Sequence, residues 1–366
     1  MSSSNNDTFK VPHQYQSLSD DELKNRIAAA KSKLGDELLI LTHHYQRKEI
    51  IEFNDFLGDS FALARKAADQ SRAKHIVFCG VRFMAEAVDI LTGPDQNAYL
   101  SHPDASCPMA DMAPNDLVYT AWKHIETELG SDAVIPLVYM NSTSVMKAFC
   151  GERDGFVCTS ANADLAFKHI FEKGRKVFFF PDQHLGRNTA NKLGIAREKV
   201  AVYDPHQANG GLTSGQIKNA EVILWRGNCP VHVGFHKDQL AELRIAKPGI
   251  RMVVHPECPE EIVDMADSVG STSHIVKYVN ESPAGSTIGV GTELTMVNRL
   301  NSLYPDKEIF SISGNECTIC ADMNKTTLAD LCYTVENLEK AEIVKVPENI
   351  ANYAKIALLR MLDIGR

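Results

Sequence analysis

Short apolar runs recur along the chain: "ELLILT" (37–42), "HIVFCG" (75–80), "AVIPLVYM" (133–140), "KVFFFP" (176–181), "EVILW" (221–225), "RMVV" (251–254) and "STIGVG" (286–291). None alternates strictly, and polar, glycine or proline residues follow each one. Runs of this kind predict strands buried on both faces of a parallel sheet. Helical patterns lie between them, as at 19–34, where Ser19 and Glu22 have the spacing of a capping box. Strand alternating with helix predicts an α/β fold with ligands at the carboxyl ends of the strands.

The polar positions have a longer period. The first strand of each third ends in a polar cluster: "THHYQ" (42–46), "YMNS" (139–142) and "HPE" (255–257). Counted from His43, Tyr139 and His255, a Ser/Thr cluster follows after 17, 21 and 17 residues, at Ser60, Ser160 and Thr272. A further strand follows at offsets of 33, 38 and 32, and a cysteine at 64, 90 and 65, namely Cys107, Cys229 and Cys320. The shared order predicts three similar α/β (Rossmann-like, parallel-sheet) domains around a pseudo-threefold axis, with strand ends and cysteines converging. The expected boundaries are 20–118, 119–240 and 241–330, with a C-terminal helical segment at 331–366 that packs back. The surplus length of the middle third falls at 186–220, a stretch rich in Gly, Asn and Gln that reads as a long, mobile polar loop.

Composition narrows the class. A chain of 366 residues, 44% hydrophobic and 23% charged, is an ordinary globular protein of more than one domain. A net charge of −9 with no long basic run argues against nucleic acid. No apolar stretch approaches the roughly 18–20 residues of a membrane helix. The start, "MSSSNNDTFK", lacks the apolar region of a signal peptide and reads as a frayed tail. Nine cysteines, an odd number, without an export signal argue for a cytoplasmic protein with reduced thiols rather than a disulfide framework.

A subset of those thiols can bind metal. "CTIC" (317–320) alone admits half a zinc site, a thiol–disulfide switch, or one cluster ligand beside a spectator. Structural zinc prefers four ligands from short paired spacings, and only one such pair exists here. Three cysteines from three units could instead hold a [4Fe–4S] cluster and leave one iron open as a Lewis acid. Cys79, Cys150, Cys158, Cys258 and Cys332 read as packing residues. Ser60, Ser160, Ser271 and Thr272 suit a carboxylate or phosphate, more so at helix N-termini. His43 and His255 can pair with anions or move protons, Tyr45 and Glu257 are candidate acid and base, and Asn141 can orient a carboxylate. His232, three residues after Cys229, is either a site residue or a core histidine; the other histidines read as surface or core.

The motifs "HHYQ", "GDS", "GVRFMAE", "YMNSTS", "CTSANA", "PDQHLGRN", "HPECP", "VGSTSHIV" and "CADMNKTTL" together resemble the quinolinate synthase family, in that family's order and from about residue 20 onward. The resemblance implies an enzyme of NAD biosynthesis that condenses iminoaspartate with dihydroxyacetone phosphate to quinolinate, releasing phosphate and two waters. It implies a [4Fe–4S] cluster on Cys107, Cys229 and Cys320, functional coupling to L-aspartate oxidase, and neither nucleic-acid nor membrane partners. It gives His43 and Tyr45 substrate-binding and acid–base roles. Ser60, Tyr139, Asn141, Ser160, His255, Ser271 and Thr272 bind substrate, and Glu257 binds substrate and acts as a base. Asp182 and His184 would surround the site. The downstream M-x-x-x-T-L selects Cys320, not Cys317. This sequence departs from many relatives at His44 and at Ala321, directly after Cys320. The rival readings are a different [4Fe–4S]-dependent hydro-lyase and a non-enzymatic iron–sulfur sensor.

Overall fold

The computed structural model describes residues 10–69, 72–314 and 318–364. The start of the expected frayed tail and Cys317 lie outside these residues. Three sheets, parallel except at one edge, carry the fold, so the α/β class expected from the alternating pattern is the one observed.

The first sheet contains β1 (Leu38–His43), β2 (Phe56–Gly58), β3 (His75–Cys79) and β4 (Asn97–Leu100) in the order β2-β1-β3-β4. The second contains β5 (Val134–Tyr139), β6 (Phe156–Cys158), β7 (Lys176–Phe180), β8 (Val200–Tyr203) and β9 (Val222–Trp225), in the order β6-β5-β7-β9-β8. The third contains β10 (Arg251–Val254), β11 (Ser268–Val269), β12 (Thr287–Gly291) and β13 (Glu308–Ser311), in the order β11-β10-β12-β13. An antiparallel strand, β14 (Ile343–Val344), pairs with β4. Each sheet therefore repeats one order: its second strand lies outside its first, and its third lies inside. Leu41 pairs with Phe56 on one side and Phe78 on the other; Leu137 pairs with Phe156 and Phe179, and Val253 with Ser268 and Val290. All six residues of β1 and of β5 are buried, as two-sided parallel strands require.

The chain forms two compact units. One comprises the described residues of 1–58, 62–107 and 320–345; the other comprises 59–61, 108–319 and the described part of 346–366. In the first, helix Asp20–Leu34 packs against helix Leu328–Glu336, and Leu23, Ile27, Leu331 and Val335 share one core with β1 and β3. Ser19 supplies half of the expected capping box, its hydroxyl accepting from the Glu22 N–H at 3.3 Å. In the second, helix Glu348–Ile364 packs on helix Ser144–Gly151.

The reading of 186–220 as a loop does not hold. This stretch contains most of helix Gln183–Lys192, strand β8 and helix Ser214–Asn219. Its Gly and Asn content serves turns: Asn209, Gly210 and Gly211 all have positive φ after β8. Gly186 has another use. A Cβ there would meet Leu224 Cδ2 at 2.4 Å and Phe179 Cδ1 at 2.5 Å, so only glycine lets the helix lie this close to the sheet. That approach sets where the helix and its N-cap residue Asp182 lie against the sheet.

Candidate active site

The second unit gathers polar side chains from the carboxyl ends of β5, β6, β7, β9, β10 and β12, where a parallel sheet presents ligands. Glu257, in the turn after β10, is their centre. Its Oε2 lies 2.7 Å from His232 Nδ1, with 3% and 1% of the side chains exposed. The two atoms are close but are not aligned as a hydrogen bond. Tyr139, the last residue of β5, hydrogen-bonds Glu257 through its side chain. The His232 ring stacks on His255 with centroids 4.6 Å apart, and its Nε2 is 3.2 Å from Thr292 Oγ1.

Hydrogen bonding settles the state of His255. Its Nδ1 accepts the backbone N–H of Glu257 at 3.3 Å, so Nε2 carries the proton and faces Ser160 Oγ at 3.2 Å. Burial pushes the imidazole pKa down to about 3, with the neighbouring His232 acting in the same direction. Burial by itself would raise the Glu257 carboxyl, but the His255 and His232 imidazoles beside it and the Tyr139 hydrogen bond take it below the usual carboxylate range. With His255 neutral, the close contacts of His232 and Tyr139 are what favour the ionised carboxylate.

Asp182 follows β7 and caps helix Gln183–Lys192. Its Oδ1 accepts from the Leu185 N–H at 2.7 Å and its Oδ2 from the Cys229 N–H at 3.2 Å. Burial and the Glu257 charge push this carboxyl up, against the backbone donors that favour its ionised form. The Cys229 loop is held a second time, by the Gln183 N–H donating to Gly227 O at 2.8 Å. A Cβ on Gly227 would meet Pro181 O at 2.4 Å, which explains the glycine. A cavity of about 410 Å³ adjoins this group, with Ser160, Asn188, Pro256 and Gly270 in its wall.

Anion-binding features lie at helix Thr272–Glu281 of the same unit. Ser271 caps it and also donates to Asp59 Oδ2 at 3.2 Å, while Thr272 Oγ1 is buried with no partner among the described residues. Asn141 Oδ1 is likewise buried and unpartnered. A first-turn hydroxyl with an unmet hydrogen bond is suited to a carboxylate or phosphate oxygen.

A family model described as quinolinate synthetase A protein matches residues 25–363. A quinolinate synthase of Streptomyces coelicolor is 47% identical over 362 residues, 97% of this chain and 91% of the relative. One from Geobacillus sp. (strain WCH70) is 45% identical over 358 residues, 97% of each chain, and one from Bacillus subtilis is 43% identical over 357 residues, 97% of this chain and 96% of the relative. The chain belongs to the quinolinate synthase family. The chain is therefore an enzyme of that family.

The cysteines divide into two classes. Cys79, Cys150, Cys158, Cys258 and Cys332 are buried, and burial raises every one of these thiols, Cys79 and Cys332 to about 12. They are held as thiols and pack as small apolar groups. Cys107, Cys229 and Cys320 are the half-exposed ones among the described residues. Thiolate metal ligands are drawn from thiols accessible enough to lose a proton, not from fully buried ones. Cys229, His232 and Glu257 also place ligand atoms within 4.8 Å of one another, although His232 and Glu257 already engage each other.

In the first unit, the segment after Cys320 is tied to the loops after β1 and β4. Asp322 Oδ1 accepts the Ser106 N–H at 3.1 Å, next to Cys107, and Lys325 Nζ donates to Asp104 O at 2.8 Å. Gln46 donates to Met323 O and Arg47 to Asn324 O, each at 2.7 Å. His43 ends β1; its Nδ1 accepts the Tyr45 N–H at 3.2 Å, and the Tyr45 ring meets it edge-on, with centroids 4.8 Å apart. Ser60, which belongs to the second unit, opens helix Ser60–Asp69 after β2. His232, left open by the sequence, sits against Glu257. Asn188 and Thr292 were not foreseen; the only sequence signal for Asn188 was its place in the "PDQHLGRN" run.

Proposed function

We propose that this chain catalyses the condensation of iminoaspartate with dihydroxyacetone phosphate to quinolinate, with release of phosphate and two waters. The observation that carries the reading is the buried, ionised Glu257 held by His232 and Tyr139, in a chain matched to the family over nearly its full length. The contacts that keep Glu257 charged also lower its basicity, so its role as a base requires substrate binding to loosen them.

Cys107, Cys229 and Cys320 would hold a [4Fe–4S] cluster, which when bound supplies a Lewis-acid iron with one position open to substrate. The chain's own residues do the rest. Glu257 removes a proton during isomerisation of the triose carbons and returns one as hydroxyl leaves. Tyr45, beside His43, serves as the second acid–base group. His255, neutral, donates Nε2–H to Ser160 and so turns the Ser160 hydroxyl towards substrate. Ser271, Thr272 and Ser60 take the phosphate or a carboxylate, and Tyr139 and Asn141 hold the other carboxylate end. The buried groups among these, Tyr139, His255, Glu257, Ser271 and Thr272, help shield the labile imine from water. We place the enzyme in the cytoplasm, with L-aspartate oxidase supplying the imine.

The test is anaerobic purification followed by an assay for quinolinate. A brown protein containing iron and sulfide that forms quinolinate from the two substrates is the expected result. Iron-loaded protein that forms none would defeat the reading. One metal ion per chain without sulfide would favour a mononuclear site on Cys229, His232 and Glu257 instead.

A further inference from the structure

Helix Gln183–Lys192 carries one polar side chain for which the chemistry above has no use. The side-chain nitrogen of Asn188 donates to the backbone carbonyls of Pro256 and Cys258, each at 2.8 Å. These are the residues on either side of Glu257. An Asn amide has two N–H donors on a single nitrogen, and both are spent on this one turn. Two carbonyl acceptors also determine the amide's orientation, because an amide oxygen in that place could accept from neither.

The arrangement has a cost. Asn188 is buried, and its Oδ1 has no partner among the described residues, which is unfavourable. An apolar residue would avoid that loss, so the amide's use lies in what its nitrogen holds. The turn after β10 has left the sheet. Its N–H groups are taken by the turn itself, Cys258 N–H by His255 O at 3.0 Å and Glu257 N–H by His255 Nδ1 at 3.3 Å. The carbonyls flanking Glu257 face the other way, towards a helix that lies on a different sheet.

We propose that Asn188 is the positioning residue for Glu257. It clamps the backbone on both sides of the carboxylate and keeps Oε2 against His232. This rests on the acid–base reading of Glu257. A carboxylate displaced by a fraction of an ångström loses its line to the proton it must take, whereas substrate binding by other residues persists.

Asn188→Ala and Glu257→Gln are made singly and together in the full chain, reconstituted anaerobically with iron and sulfide, and assayed for quinolinate formation and iron content. Asn188→Ala is expected to lower kcat about 10- to 100-fold with little change in KM and with unchanged iron per chain. In the Glu257→Gln background the same substitution should change kcat by less than about twofold, because the group it positions no longer acts. Multiplicative losses in the double variant, an unchanged kcat in Asn188→Ala, or loss of iron along with activity would overturn the proposal. Normal turnover in Glu257→Gln alone would instead remove the acid–base reading. Should Asn188→Ala fail to fold, Asn188→Ser, small and polar, is put through the same cycle.

Discussion

His232 Nδ1 lies 2.7 Å from Glu257 Oε2, and almost no surface of either side chain reaches solvent. Removing the histidine leaves a carboxylate buried without its partner. His232→Ala should therefore lower stability by about 3–5 kcal/mol, read from urea unfolding of the metal-free protein. Adding Glu257→Gln should recover part of that loss, since no buried charge then remains. Simple additivity of the two losses would show that the residues are not paired.

Asp182 holds the amide of the proposed ligand Cys229 while capping its own helix. Asp182→Asn can keep the cap through its oxygen but turns an N–H donor towards the Cys229 N–H. Iron should be held about 10- to 100-fold more weakly, as for other residues that orient a metal ligand, with the far-UV circular dichroism unchanged. Competition with an iron chelator measures this; wild-type retention would mean that the Cys229 contact is incidental.

His255 has a folded pKa of about 3, below its ordinary value of 6.5. Above about pH 6.5 neither folded nor unfolded chain protonates it and it contributes nothing. As pH falls from there towards 3, the unfolded chain takes up a proton that the folded chain refuses, so stability falls. The slope contributed is up to about 1.4 kcal/mol per pH unit, greatest between about pH 6 and 4. Glu257, whose pKa is lowered, adds loss only below the ordinary carboxylate range. Urea midpoints across this window should fall less steeply in His255→Gln; parallel slopes would show that His255 titrates normally.

The division of the cysteines predicts a matching division of phenotypes. Cys107→Ser, Cys229→Ser and Cys320→Ser should each lose iron and sulfide after anaerobic reconstitution. Cys158→Ala and Cys332→Ala should keep both and lose about 1–2 kcal/mol of stability through lost packing. A full iron complement in any one of the first three removes that residue from the ligand set.

Legibility in the sequence followed the length and environment of each element. Strands β1, β3, β5, β7, β9, β10 and β12 are four to six residues, largely buried, and their apolar runs stand out. Strands β2, β6 and β11 are two or three residues long, too short to carry a pattern. Strand β8 was hidden because its neighbours are rich in turn formers, although Asn209 and Gly210 shape a single tight turn after it. The site residues at strand ends, from Tyr139 to Glu257, were legible because a polar residue directly after a buried strand is conspicuous. His232 and Asn188 were not, since one lies in a short 3₁₀ turn and the other five residues into a polar helix.

By itself, the sequence determined the α/β class, the repeated order of strand, hydroxyl cluster and cysteine, and the family. Those features reside in local patterning and in motif identity, which a one-dimensional string retains. Only the tertiary structure decided what each polar residue does. Glu257 is a buried, partnered carboxylate rather than a solvated one because residues 25 positions before it and 118 positions before it, His232 and Tyr139, are folded against it. Asn188 grips the turn at 256–258 because Gly186 lets its helix lie on the sheet. Ionisation and position depend on burial and on distances between remote residues, and the folded chain alone sets both.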